Sequence, residues 1–283
     1  MNIFAALQIA GGGRSLPKNK QRLDVRLVEE GFCPSREKAR AAVMAGLVFV
    51  DGVKSDKPGL MINNTSLVEL RGDPAPYASR GGIKLEKAIR VFGLDLRDRV
   101  VLDVGASTGG FTDCVLKHGA RLVYAVDVGY GQLAWKLRKD PRVVVMERTN
   151  VRYLTAEAFE TAPDFATVDV SFISLKIVLP VVGELTTRDA EGVVLVKPQF
   201  EAGRHKVGKK GVVRDPAVQT EVMEDIVTFI KGCGWRVAGV DFSPVKGPEG
   251  NIEFFIYYRK SGEDVFDPET LKKVVALAHT ELE

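Results

Sequence analysis

Between Arg99 and Phe200 the chain repeats one pattern: a short apolar run that stops on a polar residue. Val100 to Val104 carries Asp103 and runs into Gly105; Arg121 to Val126 stops at Asp127; Val143 to Met146 is followed by Thr149 and Asn150. Phe165 to Val168 stops at Asp169, and Val193 to Val196 stops at Lys197. Such unalternating runs predict parallel strands covered on both faces, hence an α/β fold with a Rossmann-like, doubly wound sheet. Helices are predicted from Gly110 to Leu116, from Asp215-Pro216 to Ile230, and from Asp267-Pro268 onward. Trp235 to Phe242 and Ile252 to Tyr258 predict a hairpin at the sheet edge.

The pattern before residue 73 differs. Leu23 and Leu27 stand at i and i+4 before Gly31. Ser35 is placed to cap a second helix, with Ala39, Ala42 and Val43 facing inward and Arg36 and Arg40 outward. Leu47 to Val50, Asp51-Gly52 and Val53 predict a tight hairpin. Asp73-Pro74-Ala75-Pro76 reads as a stiff linker. The expected organisation is therefore a leader over residues 1–20, a small α+β domain over 21–72, a linker over 73–78 and the α/β domain over 79–283. The leader's GGGRS suggests flexibility, and it is set aside from fold reasoning.

Composition narrows this picture modestly. A net charge of +3 over 283 residues permits nucleic acid without requiring it. The three cysteines, Cys33, Cys114 and Cys233, are far apart and suggest neither a disulfide framework nor a zinc site, which fits a cytoplasmic protein without a metal. No apolar run approaches the roughly 20 residues that span a bilayer, so stable membrane insertion is not expected.

Chemistry enters at Asp103 to Phe111, DVGASTGGF. No Gly-Lys followed by Ser or Thr, as a P-loop needs, occurs, and Ser107 stands where a dinucleotide fingerprint needs its second glycine. What remains, Asp-x-Gly-x-Ser-x-Gly-Gly, resembles the S-adenosyl-L-methionine motif of Rossmann-like methyltransferases. Asp103, Gly105, Ser107, Gly109, Gly110 and Phe111 are the expected cofactor residues. Asp127 suits a ribose diol, because a carboxylate accepts two hydroxyl protons at once. Asn150 lies where an adenine contact is expected, although a turn role is equally open.

Asp169 is followed by Val-Ser-Phe rather than the Pro-Pro-aromatic of amine methyltransferases, and no cysteine nucleophile is near, which leaves an oxygen acceptor. Lys84, Asp169, Lys197 and Glu253 lie in four segments that this topology would gather at one crevice. In that order they match the Lys-Asp-Lys-Glu tetrad of FtsJ-like RNA 2′-O-methyltransferases. Lys197 is expected to act as base with Asp169 orienting it, and Lys84 and Glu253 to position the ribose.

The segment RLDVRLVEEGFCPSREKARAAVMAGLVFVDGV resembles S4 RNA-binding domains. Ten Lys/Arg stand against eight Asp/Glu between Lys18 and Asp73, so placement matters more than bulk charge. Arg22, Arg26, Arg36 and Arg40 are the expected RNA contacts there, with Arg80 beyond the linker. From Lys197 to Arg214 six basic residues oppose only Glu201, and Gly203, Gly208 and Gly211 punctuate the loop. A mobile lid carrying Arg204, Lys206, Lys209 and Lys210 is expected to order on RNA. With SRGGIKL, DVSFISL and LVKPQFE, the chain is similar to the TlyA family from about Arg22 to Tyr258. That resemblance implies 2′-O-methylation of cytidine in ribosomal RNA, with rRNA or ribosomal subunits as partner. A membrane-active hemolysin, from the family's historical label, and an RNA-binding protein with an inactive methyltransferase fold are the alternatives.

Overall fold

The computed structural model describes residues 20–282 apart from 34, 45, 72–75, 248 and 265. The expected leader therefore lies almost wholly, and the linker partly, outside the described residues. The chain divides into two compact units between Ala75 and Pro76.

In the first unit, β1 (Lys20–Arg22) leads into α1 (Leu23–Glu29), and α2 (Arg36–Met44) packs on it. Then follow β2 (Val48–Val50), β3 (Val53–Ser55), β4 (Met61–Asn63) and β5 (Val68–Leu70). β2 pairs antiparallel with β3 and β5, and β1 with β4. Leu23, Leu27, Ala39, Ala42 and Val43 are fully buried, as their helical spacing requires.

The second unit contains α3 (Arg80–Phe92), β6 (Val100–Val104), α4 (Gly110–Lys117), β7 (Leu122–Val126), α5 (Trp135–Arg138) and β8 (Val143–Met146). It continues with β9 (Phe165–Val168), α6 (Leu175–Leu185), β10 (Glu191–Val196), α7 (Pro198–Glu201), α8 (Pro216–Gly232), β11 (Arg236–Phe242), β12 (Phe254–Arg259) and α9 (Glu269–Leu282). Its seven strands lie in the order β11-β12-β10-β9-β6-β7-β8. All neighbours from β10 to β8 are parallel, and β12 is antiparallel to both β10 and β11. The expected hairpin forms, but β12 wedges inside the sheet and, of its two strands, β11 alone lies at an edge. Ile256 and Tyr258 are buried accordingly.

Both sheet faces are covered. Val100, Leu102 and Val104 enter one core with α6, α8 and α9, while Val101 enters the other with α3 and α4. This alternation explains why the run is apolar throughout. Chain order reverses between β6 and β9, and a crevice opens at the carboxyl ends of those strands, the usual ligand position in such sheets.

Candidate active site

Backbone geometry shapes the first wall. Gly105 has φ +88°, and a Cβ there would lie 2.3 Å from the Asp169 carbonyl oxygen, so only glycine lets β6 turn this close to β9. Ser107 also adopts a left-handed φ of 49°. Its amide donates to the Asp127 carboxylate at 2.8 Å, and the Gly129 amide donates to the other oxygen at 2.6 Å. Asp127 thus ties two loops together and still has lone pairs for hydroxyl donors. It lines a cavity of about 550 Å³ with Gly105, Ser107, Asn150, Asp169 and the apolar side chains of Val126, Val151 and Ile173. A carboxylate and an amide beside apolar walls suit a ribose diol and an adenine, so the donor set fits the expected cofactor. Asn150 lines this cavity, and its side chain accepts from the Arg152 amide to cap a short 3-10 turn.

Two of the expected cofactor residues stand elsewhere. Asp103 is fully buried and accepts hydrogen bonds from Thr112 at 2.6 Å and Thr167 at 2.9 Å. It braces the loop from behind instead of facing a ligand, because it shares a strand face with Val101 and so points under α4. Burial pushes its carboxyl up to about 6. Gly109 is needed for packing: its φ is +91°, and a Cβ would lie 2.2 Å from Leu137. Gly110 and Phe111 do face the crevice.

An adjoining cavity of about 370 Å³ collects all four tetrad residues. Lys84 comes from the second turn of α3, Asp169 from the residue after β9, Lys197 from the N-cap of α7 and Glu253 from the residue before β12. They form two ion pairs, Lys84 with Glu253 at 2.5 Å and Lys197 with Asp169 at 2.6 Å. Lys197 also donates to the Ser171 hydroxyl at 2.9 Å. Glu253 is 1% exposed, and burial raises its carboxyl above the usual range while the Lys84 ammonium opposes the shift. Arg80 lines the same cavity.

Three residues at the crevice were missed in the sequence. Ser171 steadies Lys197, and Lys246 lines the tetrad cavity. Phe172 is 90% exposed with φ +63°, an uncommon conformation for a bulky side chain, and its ring lies 4.9 Å from that of Phe200. Both aromatics line a third groove, of about 890 Å³, with Arg204. Ser171 and Phe172 stand two and three residues after a predicted catalytic aspartate, and that position was the available signal.

The basic residues are less free than their count implies. Arg22 and Arg36 both pair with the buried Asp24, at 2.8 and 3.1 Å, and hold its carboxyl down at about 2. Arg26 pairs with Glu30 and donates to the Asn64 carbonyl. Arg40 is exposed with no acidic partner among the described residues. The expected mobile lid consists of two short 3-10 turns, Arg204–Lys206 and Lys209–Gly211. Asn251 pins it by donating to Gly211 and accepting from Val213, and Lys206 is paired with Glu221. Lys210 is exposed at φ 68°, and the Lys209 side chain lies outside the described residues.

The FtsJ-like methyltransferase family model matches residues 77–260, and the S4 domain model matches residues 21–64. The chain is 49% identical over 272 residues to YqxC of Bacillus subtilis, which is named as an rRNA methyltransferase, covering 94% of this chain and 97% of that protein. It is 43% identical over 263 residues to the 16S/23S rRNA (cytidine-2′-O)-methyltransferase TlyA of Mycobacterium tuberculosis, covering 93% and 98%. A solved structure from Streptococcus thermophilus that carries a hemolysin name superposes with TM-score 0.72 at 47% identity, covering 93% of this chain and 97% of that one.

Proposed function

The chain belongs to the FtsJ-like methyltransferases that carry an S4 domain, and we propose that it transfers a methyl group from S-adenosyl-L-methionine to the 2′-oxygen of a cytidine in ribosomal RNA. The observation that carries this reading is the meeting of Lys84, Asp169, Lys197 and Glu253 in one cavity beside the glycine-turn pocket. When bound, S-adenosyl-L-methionine supplies a methyl on a sulfonium, already activated for displacement. The protein's share is to align a hydroxyl and remove its proton.

Lys197, acting as the neutral amine, takes up the proton of the ribose hydroxyl and so leaves the ribose oxygen free to accept the methyl that the bound donor would supply. Asp169 and Ser171 hold Lys197 in place, and Lys84 and Glu253 position the ribose. The exposed ring of Phe172 offers a stacking face for a base brought to the rim. The S4-like unit and Arg204 contribute RNA contacts. Among the described residues no helix is long and apolar enough to cross a membrane.

The test is transfer of labelled methyl to transcribed 16S and 23S rRNA by wild type and by Lys197→Ala, with cofactor affinity measured by calorimetry. Wild type transfers methyl; the variant loses about a thousandfold or more in kcat, near the magnitude of general-base removal, with cofactor Kd changed less than threefold. Undiminished transfer by Lys197→Ala overturns the assignment of the base.

A further inference from the structure

The tetrad cavity holds more positive charge than the tetrad needs. Arg80, Lys84, Lys197 and Lys246 line it with only Asp169 and Glu253 as acids. Both acids are engaged, by Lys84 at 2.5 Å and by Lys197 at 2.6 Å. Arg80 and Lys246 have no acidic partner among the described residues. Unmatched charge in a partly enclosed site favours entry of an anion. The methyl donor does not provide one in net terms, since it brings a sulfonium and an ammonium against a single carboxylate. RNA does: its 2′-oxygen sits on the carbon next to the one bearing the 3′-phosphodiester, so a hydroxyl placed among the tetrad carries a phosphate in with it.

Placement separates the two cations. Arg80 opens α3, where Gly81 lies against Gly110 and Phe111 of the glycine turn, toward the cofactor side. Lys246 lies on the connection from β11 to β12, beside the buried Glu253. There the Gly247 backbone comes so close that a Cβ would lie 2.7 Å from a Glu253 carboxylate oxygen. The connection is fastened on both sides of Lys246: the Ser243 amide donates to the Glu253 carbonyl at 2.8 Å, and the Gly247 amide to that of Asn251 at 2.9 Å. The backbone at Lys246 is thus held beside the carboxylate assigned to the ribose, and its side chain lines the same cavity.

We infer that Lys246 binds the phosphodiester on the 3′ side of the methylated ribose, which makes the site selective for an internal nucleotide over a nucleoside or a 3′-terminal one. This rests on the reading of the crevice as a ribose 2′-O-methylation site. Lys246 is a positioning residue, acting on the substrate's neighbouring phosphate and not on the reacting oxygen.

Two probes test it on the full chain: cytidine 3′-monophosphate and cytidine 5′-monophosphate, bound in the presence of saturating S-adenosylhomocysteine. Wild type prefers the 3′-phosphate at least fivefold, Lys246→Gln abolishes the preference and Lys246→Arg keeps most of it. With rRNA, Lys246→Gln lowers kcat/KM about tenfold, mainly through KM, and reduces the salt dependence of RNA binding by about one phosphate contact. Cofactor Kd stays within twofold. The inference fails if wild type shows no 3′ preference, if Lys246→Gln retains it, or if cofactor affinity falls as far as kcat/KM, which would assign Lys246 to the cofactor carboxylate. The nucleotide-binding arm needs no turnover, so absence of methyl transfer to rRNA by wild type would overturn the proposed function separately.

Discussion

Each of the two units contains a fully buried aspartate, and the two are held in opposite ways. Asp24, in the S4-like unit, lies between the guanidinium groups of Arg22 and Arg36, which keep it ionised. Asp103, in the methyltransferase unit, accepts from the neutral hydroxyls of Thr112 and Thr167, and burial drives it toward the neutral acid. The small unit, with a core of few large side chains, therefore commits arginines to its own fold. The larger unit braces its glycine loop from behind through threonine hydroxyls and sets two ion pairs in the crevice. Counting basic residues consequently overstates what the S4-like unit presents to RNA and understates the order in the crevice.

If charge in the crevice is functional, its removal has the largest effect. Glu253→Gln is expected to lower kcat by about a hundredfold or more, comparable to disturbing a positioned catalytic group, with cofactor Kd nearly unchanged by calorimetry. The two aspartates then separate by pH. Asp103 has a raised folded pKa, so its native state holds a proton longer and stability falls as pH rises from about 4 to 6. Relative to Asp103→Asn, wild type should lose about 2–3 kcal/mol of unfolding free energy across that window in denaturant titrations. Asp24 has a depressed folded pKa, so its contribution is present above about pH 4 and lost as pH falls toward 2. At neutral pH Asp24→Asn should cost about 2 kcal/mol, and that cost should vanish on acidification. An equal pH slope for both variants would erase the contrast. The smallest effect belongs to the surface. Lys206→Ala, which breaks an ion pair with the largely exposed Glu221, should change stability by about 0.5 kcal/mol or less, whereas Arg40→Ala should weaken RNA binding and its salt dependence by about one contact.

The sheet was legible because strands buried on both faces must be continuously apolar; β8 and β9 match the predicted runs residue for residue. Gly105 was legible because a chain turning against β9 leaves no room for a side chain. The tetrad required topology as well, since its members gain meaning only when four strand or helix ends are brought to one place. Three features required tertiary knowledge. Arg36 meets Asp24 across twelve residues, and nothing local announces that pair. Lys246 and Phe172 sit on connections without periodicity, where direction is set by packing. The anchoring of the basic loop depends on Asn251, forty residues from Gly211. Asp103 is an instructive miss: its alternation with Val101 already placed it under α4, yet the motif around it suggested a ligand contact.

The most direct measurement of the central claim is the position of the transferred methyl. Ribosomal RNA treated with wild type and isotopically labelled S-adenosyl-L-methionine would be digested to nucleosides and resolved by mass spectrometry. The label is expected on the ribose, as 2′-O-methylcytidine, and absent after treatment with Lys197→Ala. Label on a base nitrogen or carbon, or equal ribose label from both proteins, would contradict the account.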